Sequence, residues 1–159
     1  MPEGGQIVEI GSFRGRSAIT LALAAPASAA VVCIDPHLGS DRGPREIAAQ
    51  PALGEDDNAV FLANLAAAGV DSRVRYVRSC SSEALDDVSR AIDVLFVDGA
   101  HRYGPALDDL RHWGDRVPVG GTMLVHDSFS SIGVTGALLR HVLLHRGWRY
   151  RGRARSLAV

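Results

Sequence analysis

The run Ile7-Val8-Glu9-Ile10-Gly11-Ser12-Phe13-Arg14-Gly15-Arg16-Ser17 limits the folds open to this chain more than any other stretch. An apolar strand passes through two glycines and into a helix start. Gly11 and Gly15 allow a tight turn and a close approach of backbone to a ligand, and the helix that follows presents unpaired N–H groups in its first turn. Ser17 adds a hydroxyl there. A strand, a G-x-x-x-G turn and a helix open many α/β folds that bind nucleotides, so the stretch predicts a site at the first crossover and leaves the ligand open.

Along the rest of the chain, strand patterns alternate with helix patterns. Gln6 to Ile10 reads as strand 1 and Gly15 to Ala25 as a helix ending near Pro26; Val31 to Asp35 is a second strand, apolar throughout as a parallel strand covered on both faces should be. Residues 38 to 56, rich in Gly, Pro, Asp and Arg, read as a long surface loop. Asn58 to Ala68 has helical spacing and stops at Gly69. Val74 to Val77 is a third strand, followed by a short helix from Ser81 to Val88. Ile92 to Val97 is a fourth strand, Tyr103 to Trp113 an amphipathic helix, Thr122 to Val125 a fifth strand and Ile132 to His145 a long helix. Trp148 to Val159 reads as two short strands meeting near Gly152. The alternation predicts a doubly wound α/β sheet, and with no repeat or linker the 159 residues form a single domain.

Charge and residue usage exclude several functions. Formal net charge is −1, from 17 basic and 18 acidic residues, which gives no footprint for nucleic acid or an anionic membrane. All the basic residues are Arg; without Lys, Schiff-base chemistry and a Walker-type phosphate loop are excluded. Cys33 and Cys80 are too few and too distant for a disulfide framework, which suits a reducing, cytoplasmic setting. Ser17 to Ile34 carries no charge, but Pro26 breaks it into a buried helix and a buried strand, so no membrane span is expected. His112, His141 and His145 read as solvated on helices, and His37 as a loop residue. Arg149, Arg151, Arg153 and Arg155 alternate near the C-terminus: a solvated edge, or a contact for an anionic substrate.

In open α/β sheets the ligand sits beyond the carboxyl ends of the strands. Those ends hold Glu9 to Gly11, Asp35, Ser79 to Ser81, Asp98 and His126-Asp127. Asp35 is placed to accept hydrogen bonds from a ribose diol, which fits NAD and S-adenosylmethionine alike. The dinucleotide pattern G-x-G-x-x-G needs glycine where this chain has Phe13 and Arg16, which disfavours a pyrophosphate.

Val8 to Ser17, Asp35, Phe96-Val97-Asp98-Gly99-Ala100-His101 and Leu124-Val125-His126-Asp127, taken in this order, resemble a class I S-adenosylmethionine-dependent methyltransferase. The resemblance is to the metal-dependent O-methyltransferases, of the catechol type and of the sugar and macrolide type. It implies a Rossmann-like sheet of order 3-2-1-4-5-7-6, with strand 7 antiparallel at Ser156 to Val159. It implies that Glu9, Gly11, Ser12 and Ser17, with Phe13 and Gly15 in the same turn, hold the methionine part of the cofactor. Asp35 and Pro36 would lie at the ribose, Cys80, Ser81 and Ser82 at the adenine edge, and Asp98 at the cofactor and the metal.

With strands 4 and 5 adjacent, about 4.8 Å apart, Asp98 and Asp127 can converge on one cation. Carboxylates favour a hard divalent ion, Mg²⁺ first; His126 as a third ligand leaves Mn²⁺ or Zn²⁺ open and needs the chain to turn there. His101 stands where the resemblance places a catalytic base, and its titration range suits that role. Such a protein would methylate a hydroxyl of a small molecule or saccharide. A metal-independent methyltransferase, an NAD-linked oxidoreductase and a non-catalytic cofactor-binding domain are the competing readings. Strand 1 starts almost at Met1, where family members place helices first, so either this is a trimmed chain or the acceptor pocket would be completed by the 38 to 56 loop or by a second subunit in a homo-oligomer.

Overall fold

A computed structural model of the chain describes residues 1–41, 48–88, 90–144 and 147–159. Five parallel strands, β1 (Gln6–Ile10), β2 (Ala30–Ile34), β3 (Val74–Val77), β4 (Val94–Val97) and β5 (Thr122–Val125), are extended by a hairpin of β6 (Arg153–Ala154) and β7 (Leu157–Ala158). The sheet order is β3-β2-β1-β4-β5-β7-β6. β7 pairs antiparallel with β5 through Val125 and Ala158. This is the order and the reversed strand that the resemblance implies.

Strand β1 is buried along its whole length, and its alternate side chains serve opposite layers. Val8 and Ile10 join Val32, Leu95 and Val97 in a core with Leu110 of α3 (Tyr103–His112), Trp113 just after it, and Ala137 of α4 (Ile132–Leu144). Ile7 packs with Val31, Cys33, Phe61 and Leu65 beneath α1 (Arg16–Ala24) and α2 (Pro51–Ala67). β1 pairs β2 on one side and β4 on the other. The connection therefore reverses direction at β1, and the crevice of the fold opens there.

Several boundaries differ from the sequence reading. α2 begins at Pro51, well before Asn58, because proline is well suited to a helix's first turn and the Gly-Glu-Asp-Asp run that reads as loop continues the helix. Part of the 38 to 56 segment, residues 42–47, lies outside the described residues. The helix expected over 81 to 88 is one 3-10 turn, Ala84–Asp87. The C-terminal hairpin turns at Arg155 and Ser156, with φ of 56° at Arg155, and not at Gly152. His112 is exposed. His141 is buried, 1% exposed, its ring 5.9 Å from that of Trp148. It shares a helical face with Val134, Ala137 and Leu138, the face of α4 that packs on α3. His145 lies outside the described residues. Among the described residues no helix is long and apolar enough to cross a membrane.

Candidate active site

The turn after β1 sits directly against the end of β4. A Cβ on Gly11 would stand 2.2 Å from the carbonyl oxygen of Asp98, and Gly11 has φ of 82°; only glycine fits both requirements. Gly15, at φ 85°, precedes α1. Beneath the turn, Glu9 is fully buried and accepts the Ser12 hydroxyl at 2.6 Å. Burial pushes the Glu9 carboxyl up, and hydrogen bonds from Ser12, Ser17 and Cys33 oppose it. Asp35 fastens the same turn from β2. Its Oδ2 accepts the backbone N–H groups of Ser12 and Phe13, both at 2.8 Å, and its Oδ1 accepts that of His37 at 2.7 Å. A carboxylate has about four acceptor positions, so one is left for a ligand hydroxyl.

His37 completes the clamp. It is buried at φ 46°. Its Nε2 donates to the Phe13 carbonyl at 2.7 Å, and its Nδ1 shares a hydrogen bond of 2.6 Å with the Tyr76 hydroxyl, which also reaches the Asp35 carbonyl at 3.2 Å. The tips of β1, β2 and β3 are thereby tied through side chains. On the helix side, Arg14 pairs with the buried Asp57 of α2 at 2.9 Å, and Asn64 donates to the Arg14 carbonyl at 2.8 Å.

A cleft of about 720 Å³ opens above this turn, within the size range of small-molecule sites. Among the residues expected at a cofactor, Gly11, Phe13, Asp35, Pro36, Cys80, Ser81, Ser82 and Asp98 line it. Glu9, Ser12, Gly15 and Ser17 are absent from its wall; Glu9 and Ser12 face each other underneath. Glu9 is hydrogen-bonded by Ser12 and Ser17 there. His101, His126 and Asp127 line the other end of the cleft.

At that end the strand tips bring together a compact group. One ligand atom from each of Asp98, His101 and Asp127 lies within 4.8 Å of the others. The chain turns at Asp127, φ 52°, right after β5, so His126 and Asp127 both face the group. His101 Nε2 is 2.8 Å from Asp127 Oδ2. His126 Nδ1 is 3.1 Å from Asp98 Oδ1 and 3.5 Å from Asp127 Oδ2, without hydrogen-bond alignment to either. Burial pushes the Asp98 carboxyl up to about 6, against the pull of His126 and His101. Asp127 is also partly desolvated, but the Ser130 hydroxyl at 2.6 Å and His101 hold its carboxyl below the ordinary value. Two carboxylates, a histidine and a misaligned buried imidazole nitrogen form a donor set that fits a divalent cation. Ser128 is not in the group: it is fully buried and its hydroxyl donates to the Val125 carbonyl.

Among the polar residues of the cleft that the sequence does not announce are Asp109, Arg102 and Asp41. Asp109 accepts the Ser81 hydroxyl at 2.5 Å, and burial first, with the charge of Asp108 behind it, pushes its carboxyl up to about 6. The signal was in the helical period, because Asp109 falls on the face of Ala106, Leu110 and Trp113. Arg102 and Asp41, from opposite rims, form a two-pronged ion pair at 3.0 and 3.1 Å. No local pattern links them across 61 positions.

The sequence pattern of the family described as "Methyltransferase domain" matches residues 8–128. Among solved structures, the chain is similar to cofactor-bound Rv0187 from MTB, at 20% identity and TM-score 0.69, covering 91% of this chain and 63% of that one. It is similar to the O-methyltransferase NovP at 20% identity and TM-score 0.73, covering 97% and 70%. It is also similar to the O-methyltransferase TomG from Streptomyces achromogenes, solved with SAM, at 20% identity and TM-score 0.63, covering 96% and 69%. The chain thus spans less than two thirds of the length of Rv0187. At these identities the likeness is one of fold. A search of curated protein sequences found no match.

Proposed function

The chain belongs to the methyltransferase-domain family, and on that premise we propose that it transfers the methyl group of S-adenosylmethionine to a hydroxyl of a small molecule or saccharide, with a divalent cation and His101 activating the hydroxyl. The observation that carries this reading is that the Asp98, His101 and Asp127 group lines the same cleft as the Gly11 turn, Asp35 and Ser81. A sulfonium cofactor needs no phosphate nest, and the first turn lacks the second and third glycines that a pyrophosphate requires, having Phe13 and Arg16 there. NovP and TomG are themselves O-methyltransferases.

In this reading Gly11, Phe13, Asp35 and Pro36 border the methionine and ribose, and Cys80, Ser81 and Ser82 border the adenine. Glu9, Ser12, Gly15 and Ser17 keep the turn in shape. Asp98 and Asp127, with a histidine, would hold the cation, which when bound lowers the pKa of an acceptor hydroxyl and fixes its position. Asp127 accepts from His101 Nε2, which leaves Nδ1 as the ring nitrogen with a lone pair, a proton acceptor oriented by a carboxylate. His126, whose Nδ1 lies 3.1 Å from Asp98 Oδ1, is the histidine that completes the cation's ligand set. Methyl transfer then needs chiefly alignment of nucleophile and methyl group.

Calorimetric titration with S-adenosylhomocysteine, with and without Mg²⁺, tests the cofactor half; no heat in either condition, against heat with NAD, would replace it with the oxidoreductase reading. For the metal half, Asp98→Ala should abolish turnover while the fold persists, and wild-type turnover that survives saturating EDTA would overturn it. His101→Gln should lower kcat by roughly 10²–10⁴ and remove the limb of the pH–rate profile that reports deprotonation of the base.

A further inference from the structure

The near-neutral net charge conceals a strong segregation. Six of the 17 arginines lie beyond Asp127, and no aspartate or glutamate does. The cationic segment begins where the active-site strand β5 ends, and the hairpin folds it back onto that end: the Ser128 N–H donates to the Ser156 carbonyl at 2.9 Å, and the Ser156 hydroxyl is 3.3 Å from His126 Nε2. Arg149, Arg151, Arg153 and Arg155 are exposed. None of them makes an ion pair among the described residues.

The positive φ values at Gly152 and Arg155 break the even alternation of these arginines, so they do not present one regular face. Arg153 is the one with a defined seat. Its guanidinium lies 5.4 Å from the centre of the Phe129 ring, and Phe129 meets Tyr150 edge to face at 6.4 Å. Both rings are exposed, 43% and 53%. Phe129 is two residues past Asp127, within about 7 Å along the backbone. An exposed aromatic pair capped by a cation that has no carboxylate partner among the described residues therefore stands beside Asp127, just outside the residues that line the cleft. A buried core gains nothing from such a group, and a hairpin edge guarded against aggregation needs charge but not rings. Rings suit the face of a sugar or other flat acceptor, and a planar guanidinium suits a carboxylate or phosphate.

We propose that Phe129, Tyr150 and Arg153 form an acceptor subsite, and that the acceptor is a small molecule, of saccharide size, carrying an oxyanion next to the hydroxyl that is methylated. The proposal rests on the cleft being a methyl-transfer site with its acceptor at the Asp127 end. Arg153 binds the oxyanion, the rings bind the flat face of the acceptor, and the hydroxyl is delivered toward Asp98 and His101.

The test is a set of calorimetric titrations of the intact chain saturated with S-adenosylhomocysteine. The probes are D-glucose, D-glucuronate, D-glucose 1-phosphate and a 12-nucleotide single-stranded RNA. At least one anionic sugar should bind about tenfold or more tightly than glucose, the better of the two telling carboxylate from phosphate. Arg153→Gln should abolish that difference, Arg153→Lys should restore part of it, and Phe129→Leu should weaken all three sugars. Arg140→Gln, on the exposed face of α4, should change nothing. Equal or undetectable affinity for the three sugars overturns the proposal, as does a preference that Arg153→Gln leaves intact or that Arg140→Gln diminishes equally. RNA binding tighter than either anionic sugar and lost in Arg153→Gln overturns it in favour of a nucleic-acid acceptor. Failure of S-adenosylhomocysteine itself to bind is a separate result and refutes the reading of the cleft.

Discussion

Asp109 shows how a single side chain in the cleft is held against its own solvation. Its carboxyl is pushed up to about 6 by burial, so ionisation costs the folded state free energy that the unfolded chain does not lose. The native group holds its proton to higher pH than the unfolded one, so its favourable contribution is complete below the unfolded value near 4 and vanishes as pH rises through 6. Asp109→Asn keeps an oxygen for the Ser81 hydroxyl and removes that cost. The variant should be more stable than wild type by up to about 3 kcal/mol above pH 7 and no more stable near pH 4, as read from chemical denaturation at both pH values. A gain that is the same at both would mean that the carboxylate is not strained by burial. Gly11 is the opposite case, a residue whose lack of a side chain is the requirement. A methyl group there would meet the Asp98 carbonyl at 2.2 Å, so Gly11→Ala should both destabilise the chain and abolish binding of S-adenosylhomocysteine.

At the scale of elements, the site depends on how closely α4 approaches the turn that carries His101. A Cβ on Gly133 would lie 2.3 Å from the His101 carbonyl oxygen and 2.8 Å from the Tyr103 nitrogen, and the Ser131 hydroxyl donates to the same carbonyl at 3.1 Å. Gly133→Ala should cost roughly 1–3 kcal/mol and move His101 away from Asp127. Activity should fall further than the melting temperature predicts, and a proportional fall of both would show that the helix does not position the histidine. The elements were legible to different degrees for physical reasons. β2 and β4 announce themselves because strands covered on both faces are continuously apolar. The start of α2 does not, since Pro51, Gly54 and three consecutive acidic residues read as loop, although Gly54 and Asp57 are buried at helical spacing with Phe61 and Leu65. The turn position in the C-terminal hairpin was misplaced because Gly152 is the obvious turn former, while Arg155 takes the left-handed conformation instead.

Across the whole molecule, Gly11, Asp35, Asp98, His126 and Asp127 of the cleft wall are legible in the sequence because each follows a strand tip, and topology alone delivers strand tips to one edge, whereas Asp57 and Asp109 of the same wall sit within helices. What sequence could not separate was wall from foundation: Glu9 and Asp35 both end strands, yet Glu9 is sealed under the turn and Asp35 spends three of its acceptor positions on backbone. Nor did net charge reveal that the chain is divided into an acidic body and a cationic end. Because the cleft draws on β1, β2, β3, β4 and β5 together, a ligand that fits it recognises only the complete fold. S-adenosylhomocysteine at a hundred times its dissociation constant should therefore raise the unfolding free energy by about 2.7 kcal/mol, measurable as a shift in the denaturant midpoint. No shift with demonstrated binding would mean that part of the chain binds while unfolded.

The place of β1 in the sheet also bears on how the chain comes off the ribosome. Its first strand is a central one, and the Gln6 N–H that reaches the Asp93 carboxylate waits for a partner 87 residues downstream. At a synthesis rate of 5–20 residues per second, that apolar edge stays open for on the order of 5–20 s. During that interval the nascent protein exposes an unpaired strand of the kind that invites association with other chains, and its need for a chaperone should be greatest before β4 has emerged.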